Sequence, residues 1–148
     1  LALDYSKYLN VKLSDIKDPP VPPVGHYGAT IRSWKARTVD YKQGAGEQPV
    51  ATLYFSISHE GEDVEQPLPE GVIGLLVDND YDLADPRALR GLGMAILGES
   101  AKGLELGDVL NSIVGHEVTL YMTTRMGKPG TAAEGRVFPN VNKVMVAQ

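Results

Sequence analysis

Arg32, Trp34 and Tyr54 lie in a stretch, residues 25–58, whose alternating pattern turns all three toward solvent. Two aromatic rings beside a guanidinium suit a flat, negatively charged polymer. Bases stack on the rings and phosphates pair with the cation, which is the chemistry of single-stranded nucleic-acid binding. Lys35, Arg37 and Lys42 extend the row of cations, and Asp40 is the single carboxylate between Arg32 and Lys42. Tyr121, Arg125, Lys128 and Lys143 repeat the combination further along. Each ring would serve equally in a core or a subunit contact, and each cation on a solvated surface. A bulge in the first strand would also swap Trp34 to the inside.

Other chemistries find less support. His26, His59 and His116 stand at predicted strand or loop ends without metal-ligand spacing, and cysteine is absent, so no metal site is expected. Asp78-Asn-Asp-Tyr-Asp82 imitates the start of a calcium loop but has Leu83 and Leu89 where glycine and glutamate are required. Gly91-Leu-Gly93 lacks the third glycine of a dinucleotide fingerprint and follows a helix start rather than a strand. No serine sits in a nucleophile elbow, and the carboxylates concentrate in a loop. The expectation is a protein without catalytic activity or cofactor.

The elements that would position the aromatic and cationic side chains come from periodicity. Tyr27, Ala29 and Ile31 alternate with Thr30, Arg32 and Trp34; Ala51, Leu53, Phe55 and Ile57 alternate with Thr52, Tyr54, Ser56 and Ser58. Period two over such lengths predicts two half-buried strands joined by a polar loop at 39–49. Val72–Val77 reads as a short third strand buried on both faces. Asp85-Pro86 opens a helix whose apolar face is Leu89, Leu92, Ala95 and Ile96, with Gly98 as its stop. Residues 108–114 form a further short helical turn ended by Gly115. A fourth strand over 116–125 points Val118, Leu120 and Met122 inward and Thr119, Tyr121, Thr123 and Arg125 outward. A last strand over 135–147 points Val144 and Val146 inward and Lys143 outward.

The 148 residues suit one domain, 24–148, preceded by an arm over 1–23 that ends in Asp18-Pro-Pro-Val-Pro-Pro. The arm is expected to pack along that domain, with a neighbouring subunit of a homo-oligomer as the alternative. Hydrophobic and charged fractions of 43% and 22% are those of an ordinary soluble domain, with no apolar run for a membrane span and no secretory leader. The net charge of −5 argues against a nucleic-acid partner until its distribution is read. Residues 60–85 hold nine carboxylates and no Lys or Arg, which leaves the rest with 14 cations against 10 carboxylates. That acidic segment is expected to stay away from a bound strand, or to engage a basic partner.

The order strand, strand, short strand, helix, strand, strand is that of a five-stranded Greek-key barrel of OB type. Here the chain resembles the single-stranded-DNA-binding proteins of tailed bacteriophages. Pro23-Val-Gly25-His-Tyr27 is similar to their entry into the first strand, and Ala51 to Ile57 to their second. Leu89 to Gly98 resembles their helix, Asp108 to Val118 their lead into strand four, and Asn140-Val-Asn142-Lys-Val144 their last strand. The resemblance covers roughly residues 22–147. It implies a mainly β, five-stranded antiparallel OB barrel, a non-catalytic role in phage DNA replication or recombination, and the cytoplasm of the infected bacterium. It also implies that Trp34, Tyr54 and Tyr121 stack on bases, while the seven cations named above neutralise phosphates. The family often carries an acidic tail that recruits replication or recombination proteins. Here the loop at 60–70 is the candidate for that role. The competing reading is a structural or protein-interaction module of a virion or replisome that uses the arm and the acidic loop.

Overall fold

The computed structural model describes residues 4–16, 18–40 and 46–146. Five strands form one antiparallel sheet: β1 (Gly25–Val39), β2 (Gln48–Glu60), β3 (Leu76–Asp82), β4 (Glu117–Met126) and β5 (Val137–Val146). Their order across the sheet is β3-β2-β1-β4-β5. The expected barrel is not closed, because no ladder joins the edge strands β3 and β5 among the described residues. The two edges nonetheless line a common cleft of about 340 Å³, with Asp78 and Asp80 on one side and Asn140 and Val141 on the other. Pro139 lies in β5, an edge strand, where a missing backbone N–H leaves no interior ladder bond unmade.

The inward faces are those the alternation predicts. Tyr27, Ala29, Ile31, Leu53, Phe55, Ile57, Val118, Leu120 and Met122 are all buried. Each large apolar side chain among them contributes about 1.5–3 kcal/mol by leaving water. A short helix, α1 (Ser6–Leu9), precedes the sheet in the chain and adds nothing to this core. Two longer ones do, α2 (Arg87–Leu97) through Leu89 and Leu92, and α3 (Leu106–Ile113) through Val109, Leu110 and Ile113. Gly93 has a packing reason: a Cβ there would meet Val109 Cγ1 at 2.5 Å, so the bare backbone admits α3. Asp85 does not cap α2 as expected. Its carboxylate pairs with Arg87 at 2.6 Å instead.

The third strand is displaced from its predicted place. Residues 72–75 turn, with Val72 fully buried, and the strand begins at Leu76. The sequence Asp78-Asn-Asp-Tyr-Asp82 that imitates a calcium loop is therefore strand. Asp78 pairs with Tyr54, Asp80 with Thr52 and Asp82 with Val50.

Two bulges in the β1–β2 ladder decide which face several side chains take. Ile31 pairs with Phe55 but Ser33 pairs with Tyr54, so Arg32 is an extra residue in β1. Every later β1 side chain therefore changes face relative to simple alternation. Trp34 pairs with Leu53 and packs half-buried against the core, so its predicted solvent-facing position is corrected. In β2, Ala29 pairs with Ile57 but Gly28 pairs with His59, which makes Ser58 the extra residue and sends His59 outward.

The segment before the sheet also departs from expectation. Residues 4–16 are exposed throughout, Tyr5, Tyr8, Leu9, Leu13 and Ile16 included, so they do not pack along the domain. Asp18 does contact the domain: its carboxylate accepts from Arg136 at 3.0 Å. Among the described residues, no helix is long and apolar enough to cross a membrane.

Candidate nucleic-acid interface

The outward face of the sheet divides into two regions of different charge. On the β1–β2–β3 side, Lys35 pairs with Thr52, Arg37 with Val50, and Ser33 with Tyr54; Asp78, Asp80 and Asp82 stand opposite Tyr54, Thr52 and Val50. Three carboxylates of the acidic segment thus share the face that carries Lys35 and Arg37. A segment expected to stay away from a bound strand therefore lies beside two of the cations assigned to that strand. Arg37 donates from Nε to Thr52 Oγ1 at 2.7 Å, and from its terminal nitrogen to both Asp80 oxygens at 3.0 and 2.8 Å. Thr52, fully buried, in turn donates to Asp80. A guanidinium held by a carboxylate and a buried hydroxyl is a structural clamp, and a phosphate would have to displace Asp80 to use it.

The β4–β5 side is more basic. Residues 125–143 carry Arg125, Lys128, Arg136 and Lys143 against Glu134 alone. Tyr121 pairs with His26 on one side and Lys143 on the other, so a ring, an imidazole and an ammonium form one row. The His26 and Tyr121 rings are 4.8 Å apart between centroids, tilted by 36°. Further along, Arg125 pairs with Phe138, and the Arg125 and Arg136 guanidiniums lie 5.0 and 5.2 Å from the Phe138 ring centre. Those distances are within cation–π range.

The acidic loop reaches this second region at one point. Asp63 accepts from the His26 backbone N–H at 2.9 Å and pairs with His26 Nδ1 at 2.7 Å. The backbone donor first, then the imidazole, holds the Asp63 carboxyl below its ordinary range. Asp63 and Tyr121, with Pro22, Pro67 and Pro69, line a cleft of about 570 Å³.

Of the residues singled out from sequence, Tyr121, Arg125 and Lys143 lie on the β4–β5 side, and Lys128 is exposed in the loop between those strands. Arg32 is exposed at the β1 bulge, and Lys35 and Tyr54 lie on the acidic side of the face. Arg37 is engaged by Asp80, Trp34 faces the core, and Lys42 falls outside the described residues. Sequence reasoning missed Phe138 and Arg136. The signal that could have found them is the cationic flank of a lone phenylalanine, Arg136-Val-Phe138, opposite a strand ending in Arg125. Among the described residues no group of three or more His, Asp or Glu side chains is placed to hold a metal. No protein-family model, curated protein or solved structure matches the chain.

Proposed function

We propose that the chain is a non-catalytic single-stranded-DNA-binding protein of OB type, acting in phage replication or recombination. The observation that carries this reading is the β4–β5 surface, where Phe138, with Arg125 and Arg136 near its ring, lies on the same face as Tyr121 and Lys143. Rings supply sequence-tolerant stacking, and cations a few ångströms away supply phosphate contacts. The strand order supports the OB part. An OB barrel opened along its β3–β5 seam would have the order β3-β2-β1-β4-β5, and α2 and α3 fall between strands three and four.

The test is a fluorescence-anisotropy titration with labelled oligo(dT) at two salt concentrations. Three phosphate contacts, by Arg125, Lys128 and Lys143, give a log–log salt slope of about −2.1. Affinity should then fall roughly 20-fold between about 50 and 200 mM salt. No binding at the lower salt would reject the reading.

The exposed Tyr5, Tyr8, Leu9, Leu13 and Ile16 favour a second reading, a protein-interaction module that docks through residues 4–16. Light scattering of the chain with and without that segment separates the two. An oligomer lost on its removal, without oligo(dT) binding by either form, supports the module.

A further inference from the structure

The bulge at Ser58 turns His59 onto the outward face, directly over Gly28. A Cβ built on Gly28 would fall within 2.6 Å of each of His59 Cε1, Nε2 and Nδ1. A point so near three consecutive ring atoms at once is above the ring plane, because a point beyond the ring edge would be markedly farther from the two nitrogens. The imidazole therefore lies face-on against the glycine backbone. His59 is nevertheless exposed, so its other face is open to solvent. Ser58 Oγ lies 3.3 Å from Nδ1 and steadies the ring in its plane. Any other residue at 28 would lift the ring off the sheet.

The seat lies beside the second aromatic group. Gly28 is two residues from His26 on the same face of β1, about 7 Å along the strand. His26 in turn contacts Tyr121. We propose that His59 is a stacking face for one unpaired nucleobase, next to a neighbouring base received by Tyr121. This rests on the single-strand-binding reading above and assigns a contact within it. The ligand class is an unpaired base of any identity, since a flat ring backed by a peptide plane offers stacking without base-edge readout.

The experiment is an oligo(dT) titration of the wild type, His59→Ala, His59→Gln and His59→Phe, each accompanied by thermal melting. Ala and Gln should weaken binding roughly 5- to 100-fold, while Phe, which keeps a ring, stays within about threefold. Melting temperatures should stay close to wild type, because the side chain is exposed. If the wild type binds and the Ala and Gln variants bind equally well, His59 is no contact, and the single-strand-binding reading stands without it. Losses that follow the melting temperatures, Phe included, would make His59 a structural cover for Gly28 and overturn the inference. A wild type that does not bind overturns both.

Discussion

Trp34 Nε1 donates to Asn111 Oδ1 at 2.9 Å, joining the middle of β1 to α3. The ring that looked most suited to stacking on bases is thereby a tie between sheet and helix. Trp34→Ala should cost about 2–4 kcal/mol of stability, somewhat less than a fully buried tryptophan. Oligo(dT) affinity at temperatures well below melting should change less than about twofold. Urea denaturation and anisotropy on the same variant check both, and a large affinity loss at unchanged stability would return Trp34 to the interface.

Arg37→Ala leaves the buried Thr52 hydroxyl and the Asp80 carboxylate without their guanidinium. The expected loss is about 1–3 kcal/mol of stability, with the salt slope of binding unaltered. Asp80→Asn should leave oligo(dT) affinity equal or higher, because it removes a negative charge from the outward face. A salt slope made shallower by Arg37→Ala would identify a phosphate contact instead.

Phe138→Ala should weaken oligo(dT) binding by about 1–3 kcal/mol if a base stacks there. Arg125→Ala should make the salt slope shallower by about 0.7, the share of one phosphate contact. Equal affinity and equal slope in both variants would move the interface away from the β4–β5 side.

Tyr27 is fully buried and donates its hydroxyl to the Pro23 carbonyl at 2.6 Å. Burial, followed by the charges of Glu60 and Asp63, pushes its pKa up from 10.0 to about 12. A folded-state value above the unfolded one means a contribution fully present below about pH 10 and lost as pH rises toward 12. Denaturation across that window should show a decline that is smaller in Tyr27→Phe. An identical decline in the variant would assign it to other groups.

Asp63 behaves in the opposite sense. Its folded-state pKa is lowered by the His26 donors, so its contribution is present above the ordinary carboxylate range and lost on acidification through the folded value. Asp63→Asn should flatten that acid limb in a pH-dependent melting series. Glu62, Glu65 and Glu70 are exposed, and replacing all three with glutamine should leave oligo(dT) affinity equal or higher. A marked fall with the fold intact would put the loop in the binding site.

Alternation alone determined the inward faces of β1, β2 and β4, because Ile31, Leu53, Phe55, Val118 and Leu120 obey period two and must leave water together. It also located α2, through the leucine spacing and its stop at Gly98. The tertiary structure decided what period two cannot carry. A single extra residue, Arg32 in β1 and Ser58 in β2, reverses the face of the side chains after it, so Trp34 turned inward and His59 outward. No local signal marks either bulge, since each depends on which partner residue the other strand presents. The acidic run 78–82 became a strand for a similar reason. Its Asp80 finds Arg37 and buried Thr52 across two neighbouring strands, and those partners, 43 and 28 residues away in the chain, offset the poor strand preference of aspartate.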